Sequence, residues 1–280
     1  MIARPIRFAS WTRFAAGAIM LLFASVAGAP AQAKPAPAVV APNLSSAPAA
    51  KIISPPPGYQ FLDNVRYTYL VEWHFFTAGI ATIHMEAAGP EKHVVATADA
   101  ASVVNMLYTV HDQFTSAFDP KTFCSRSLSK HSEEGSHKRQ TEIRFDAAQH
   151  KSVLEEKNLK TGETKKVEND IPGCVTDVLT GFYYVGSLPL TEGGVYLFPM
   201  NDGNKSTEVR AEVEGKEQVK TPAGSYSAIR VRVEAASGPL KGKGGLWIWY
   251  TDDPSHTPVQ MRAKMTWGTL LFRLQRTEKL

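Results

Sequence analysis

Alternation limits the fold of this chain more than any other feature. Ile229, Val231 and Val233 share one parity, while Arg230, Arg232 and Glu234 share the other. Val209, Ala211 and Val213 alternate in the same way with Glu208, Arg210, Glu212 and Glu214. So do Val259, Met261, Ala263 and Met265 with Gln260, Arg262, Lys264 and Thr266. Tyr108, Val110, Phe114 and Phe118 keep one parity that only Asp112 and Ser116 interrupt. Successive side chains of a strand point to opposite faces, so each run predicts a strand with one buried and one wet face. That pattern belongs to antiparallel sheets, because parallel strands are usually covered on both sides and read as continuous apolar runs.

Turn chemistry separates the runs at Glu134-Gly135, Thr161-Gly162, Asp202-Gly203, Pro222-Ala223-Gly224 and Asp252-Asp253-Pro254. The short spacing predicts hairpins in a meander. Leu246-Trp247-Ile248-Trp249-Tyr250 and Leu270-Leu271-Phe272 are apolar on both faces, and predict central strands or strands with a covered outer face. One stretch has another period: Val175, Val178, Leu179, Phe182 and Val185 fit one helical face. The expected fold class is therefore mainly β, an antiparallel meander forming a strongly curved sheet or open barrel with one main helix at about 175–185. A two-sheet β-sandwich is the alternative.

The N-terminus has the three zones of a secretory leader. Arg4, Arg7 and Arg13 form a positive region, Phe14 to Ala27 an apolar run, and Ala31-Gln32-Ala33 an A-x-A cleavage pattern. The apolar run is shorter than the roughly 20 residues of a membrane span. The expectation is a signal peptide over 1–33 cleaved after Ala33; an uncleaved anchor is the competing reading. Residues 34–58, with Pro35, Pro37, Pro48 and Pro55-Pro56-Pro57, read as a Pro/Ala-rich spacer. One β-rich domain is expected over 59–280. The mature chain would be periplasmic, with no transmembrane segment.

Export changes the charge argument. The chain carries 31 Lys and Arg against 27 Asp and Glu, formally +4, and the three leader arginines account for +3 of that, leaving about +1. Lys138-Arg139, Lys165-Lys166 and Lys241/Lys243 are scattered beside turns and read as solvated loop charge. A nucleic-acid binder would need a clustered basic face, so nucleic acid is not an expected partner.

Cys124 and Cys174 are the two cysteines of the chain, and an oxidising compartment favours a disulfide between them over two free thiols. No C-x-x-C, G-x-S-x-G or phosphate-loop pattern is present. The histidines show neither H-x-H nor H-E-x-x-H spacing, so no metal and no cofactor is expected. Asp252, Asp253 and His256 form the most site-like polar cluster, able to do acid–base work if buried; a turn after the Trp-rich strand explains the same residues.

Several blocks, taken in order, resemble one exported bacterial family. They are Tyr69-Leu70-Val71-Glu72-Trp73 with Ala78-Gly79-Ile80-Ala81, Asp177 to Tyr184, Val219 to Ala228, and Leu246 to Asp253 with Pro258-Val259. The sequence is identified as a member of the domain of unknown function 3108 family over most of Tyr67 to Leu274. The resemblance implies a periplasmic β-rich domain without an assigned reaction or catalytic residues. One departure is His74-Phe75-Phe76, where the pattern leads one to expect a glycine-containing turn after the Trp.

The function expected is binding or structural. Tyr67, Tyr69, Trp73, Trp247, Trp249 and Trp267 supply aromatic surface, from which Tyr69, Trp73, Trp247 and Trp249 form a candidate site for an apolar small molecule. The other partner expected is an envelope protein. An exported hydrolase or carbohydrate-active enzyme using Asp252, Asp253 or Asp177 is the alternative, and would need two carboxyl groups facing one cleft.

Overall fold

The computed structural model describes residues 50–74, 76–236, 244–265 and 268–280. The predicted leader, the first part of the spacer, Lys241, Lys243 and Trp267 lie outside the described residues.

The first half of the chain forms β1 (Val65–Trp73), β2 (Phe76–Ala88), β3 (Glu91–Ala100), a short helix α1 (Ser102–Leu107), β4 (Val110–Phe118), β5 (Ser125–Glu134), β6 (His137–Asp146), β7 (Lys151–Asn158) and β8 (Thr164–Asp170). Then come helix α2 (Val178–Ser187), β9 (Val195–Asn201), β10 (Ser206–Thr221), β11 (Gly224–Ala235), β12 (Gly245–Thr251), β13 (Pro258–Met265) and β14 (Gly268–Lys279). Among the described residues, all fourteen strands join one sheet in the order β8-β7-β6-β5-β4-β3-β2-β1-β14-β13-β12-β11-β10-β9. Each neighbouring pair is antiparallel. It is a meander whose two halves are joined by β1 pairing with β14. The sandwich alternative is therefore corrected: continuous register through β1 and β14 leaves a single sheet.

The sheet curls without closing. Its outer strands, β8 and β9, are not hydrogen-bonded neighbours. The β9–β10 turn nevertheless reaches across to the other half, where Asn169 Nδ2 donates to Gly203 O at 2.7 Å. Gly203 takes a φ of 88°, which favours glycine, and a Cβ there would press on the side-chain ends of Ile143 and Leu154 at 2.6 and 2.7 Å. The segment before α2 runs between β9 and the start of β5. Thr176 bridges Met200, and the Ser125 amide donates to Val175 O at 2.9 Å.

This segment also corrects the predicted helix. Val175 and Thr176 are spent on the extended bridge, and the helix starts at Val178, capped by Asp177. Asp177 Oδ1 accepts from the amides of Leu179 at 2.8 Å and Thr180 at 3.1 Å, the usual service of an N-cap aspartate. The helix ends at Ser187 because Leu188 precedes Pro189, and a residue before proline avoids helical dihedrals. A second helix, α1, was not expected, and it exposes Val103, Met106 and Leu107.

The packed part begins before Tyr59. The Lys51 amide donates to Leu197 O at 3.0 Å and the Ile53 amide to Tyr184 Oη at 3.2 Å, so the end of the spacer is tied to β9 and α2. After β1 the chain turns at His74, which takes the positive φ of 54° that a glycine would more readily adopt.

Candidate functional site

An apolar cavity follows from where α2 sits. Inner-face residues of β1–β3 and β9–β14 surround the helix, and on one side they leave a cavity of about 80 Å³. Val178, Phe182 and Val185 of α2 form one wall; Tyr69, Ala81, Ala96, Ile248, Met261 and Ala263 are part of the other. Ala81, Ala96 and Ala263 are the physical reason for the space, since each leaves room that a larger side chain would take. The helix is held off the sheet by polar contacts at defined points. Tyr250 Oη donates to Phe182 O at 2.8 Å, and His256 Nδ1 lies 2.8 Å from Gly186 O. At its other end Asp177, fully buried, accepts from Ser116 Oγ at 2.5 Å, Ser125 Oγ at 2.6 Å and Thr180 Oγ1 at 2.9 Å. Five hydrogen bonds occupy that carboxylate, which makes it a cap and anchor.

The four aromatic candidates do not form one site. Tyr69 is buried on the inner face, lines the cavity, and donates from Oη to Pro258 O at 2.7 Å. Trp73 shares its parity at the end of β1, outside the cavity lining. Trp247 and Trp249 pair with Arg232 and Arg230 on the opposite face. Trp249 is buried there because Glu217 Oε1 accepts its Nε1–H at 2.5 Å and the Arg262 guanidinium stands 5.4 Å from its ring centroid. A covered outer face thus accounts for the doubly apolar strand.

Asp252, Asp253 and His256 form a turn. Asp252 pairs with Lys216 Nζ at 2.8 Å, and Asp253 Oδ1 accepts from the Ser255 amide at 2.8 Å and its hydroxyl at 2.5 Å. His256 reaches the end of α2 instead. Cys124 and Cys174 form a disulfide, with Cα atoms 5.0 Å apart. It ties the entry of β5 to the segment leading into α2. Among the described residues no group of three or more His, Cys, Asp or Glu side chains is arranged to hold a metal ion. Burial, above all, holds the phenols of Tyr69, Tyr183 and Tyr250 well above the usual tyrosine range, so all three remain protonated near neutral pH.

A family model described as protein of unknown function (DUF3108) matches residues 68–275. The chain belongs to this family. The match to DUF3108 covers the meander from β1 to β14 and the inner helix, hence the whole cavity. A search of curated proteins finds no match. Among solved structures, the DUF3108 chain is similar to a β-barrel-like protein of the domain of unknown function DUF1849 from Brucella abortus. The TM-score is 0.54 at 9% identity, over 79% of this chain and 99% of that one. This is a likeness of fold alone. An exported protein with a YmcC-like fold from Bacteroides fragilis aligns over 82% of this chain and 100% of that one, with 12% identity and a TM-score of 0.35. A lipoprotein from Parabacteroides distasonis aligns over 82% and 100%, with 9% identity and a TM-score of 0.30. Among the described residues of the DUF3108 chain, no helix is long and apolar enough to cross a membrane.

Proposed function

We propose that the protein is a non-catalytic periplasmic binding protein that holds an apolar ligand between α2 and the inner face of its sheet. The observation that supports this most is the cavity itself, walled by aliphatic and aromatic side chains from ten different elements. Apolar walls with a few polar groups at the rim are the usual composition of a small-molecule site. The candidate carboxylates favour no reaction, because Asp177 is a saturated cap and Asp252 and Asp253 serve a turn. Organic-solvent extraction of the purified protein, with mass spectrometry of the extract, tests the reading together with displacement of an uncharged hydrophobic dye. A co-purified lipid or a displaceable dye is expected, and Ala263→Phe should abolish dye binding. Finding neither lipid nor dye would remove the proposal. N-terminal sequencing of the periplasmic form should begin at Lys34.

A second reading, a structural or assembly role at a membrane, is favoured by α1. Val103, Met106 and Leu107 are 75%, 87% and 88% exposed on a helix that carries no charge. A six-residue tip cannot bury the roughly 800 Å² per partner of a stable protein interface, but it can enter a headgroup layer. Co-sedimentation with phosphatidylethanolamine/phosphatidylglycerol vesicles, lost in Met106→Lys, is the expected result. Equal sedimentation of the variant rejects this role for α1.

A further inference from the structure

The inner face changes character along one row of the sheet. Antiparallel register sets Tyr69, Ala81, Ala98, Asp112 and Ser132 side by side across β1 to β5. In the next inward-facing row Ala96, Phe114 and Lys130 are neighbours. Tyr69, Ala81 and Ala96 line the apolar cavity. Asp112 is two strands beyond Ala81, about 10 Å at ordinary strand spacing. Only the methyl group of Ala98 stands between them in that row.

Asp112 is 0% exposed, yet neither of its carboxylate oxygens has a hydrogen-bond donor. Ser132 and Glu134 lie close enough to act on its charge but outside hydrogen-bonding geometry. The Lys130 ammonium is 3.6 Å from Asp112 Oδ2, and the same group lies 3.2 Å from Glu134 Oε1. The Ser132 hydroxyl donates to Glu134 at 3.1 Å, away from Asp112. Arg139, opposite Ser132 on the next strand, faces Glu156 at 3.8 Å. Two carboxylates therefore share one ammonium, and the buried one lacks a donor. Buried carboxylates are normally hydrogen-bonded, because desolvating a bare one is expensive.

Building on the apolar-ligand reading, we propose that Asp112 receives the head group of the bound molecule, and that this head group is an amine whose alkyl chain passes over Ala98 into the cavity. A protonated amine supplies the missing donor and the missing positive charge together. A hydroxyl head group would supply the donor alone. A carboxylate head group would bring a third negative charge to Asp112 and Glu134.

The test uses the mature protein near neutral pH, with an uncharged hydrophobic dye displaced by dodecylamine, dodecanol or dodecanoate. Dodecylamine should bind at least about tenfold more tightly than dodecanoate, with dodecanol between them. Asp112→Asn should erase the advantage of the amine and leave dodecanol unchanged. Ala98→Leu, which alters no charge and blocks the row, should erase it as well, and serves if the Asn variant does not fold. If none of the three compounds displaces the dye, the apolar-ligand reading fails and takes this proposal with it. If all three displace it equally, or the amine keeps its advantage in either variant, the cavity reading stands and the head-group assignment is overturned.

Discussion

Ser125 and Asp177 hold each other twice: the Ser125 hydroxyl donates to Asp177 Oδ2 at 2.6 Å and accepts from the Asp177 amide at 2.7 Å. This reciprocal pair locks the start of α2 to β5, while Asp177 Oδ1 caps the helix. Asp177→Ala should cost on the order of 3–5 kcal/mol, since it strands buried hydroxyls and two helix amides at once. Asp177→Asn should cost less, because its Oδ1 still serves the two amides. Urea unfolding measures both; equal losses would show that the hydroxyl cluster at Oδ2, and not the cap, sets the cost.

The disulfide lies one residue from Ser125 in the chain. Its cysteines are 50 residues apart, and closing such a loop is worth about 4 kcal/mol in the chain-entropy picture. Replacing both cysteines by serine should lower the unfolding midpoint accordingly. A matching fall on adding reductant to the wild type is expected. An unchanged midpoint in both experiments contradicts the estimate.

Gly79 is needed for space. A Cβ there would sit 2.2 Å from the Asp99 carbonyl oxygen, a backbone atom of the paired strand that cannot step aside. Gly79→Ala should destabilise by about 1–3 kcal/mol, whereas Gly89→Ala, whose Cβ would meet nothing within 4 Å, faces only the strain of its positive φ. Thermal unfolding of the two variants distinguishes crowding from dihedral strain; a larger loss at Gly89 would reverse the ranking.

Burial, the largest influence, raises the Asp112 carboxyl from 3.8 to about 6, against the pull of Lys130 and with the push of Glu134. Tyr108 and His111 also feel its charge. The folded state therefore holds this proton more tightly than the unfolded chain. That contribution is fully present below about pH 4 and is lost as pH rises through about 6, amounting to at most about 3 kcal/mol. Asp112→Asn should gain stability relative to the wild type as pH rises across that window. A difference between the two that stays flat from acid to neutral pH rejects the assignment.

The alternating runs made the strands legible because a period of two is imposed by the backbone wherever one face is buried. Asp112 and Ser116, the two interruptions of one run, were the visible trace of the inner polar groups. Their partners were not legible. Ser116 meets Asp177 across 61 residues, a contact that no local spacing encodes. The helix was found by its periodicity, but its start was set by β9, where Thr176, the residue before the cap, bridges Met200.

The sequence alone determined the class of fold, the order of strands along the chain and the two cysteines available for pairing. These depend on local periodicity and on residue type. Tertiary structure decided which face each aromatic occupies, because β12 pairs between β11 and β13 in a register that turns Trp247 and Trp249 outward. It also decided that Ala81, Ala96 and Ala263 converge beneath α2 and that Asp112 lies in the row of Ala81, two strands away. A cavity is a sum of small side chains from distant strands, and only the curl of the whole sheet brings them to one place.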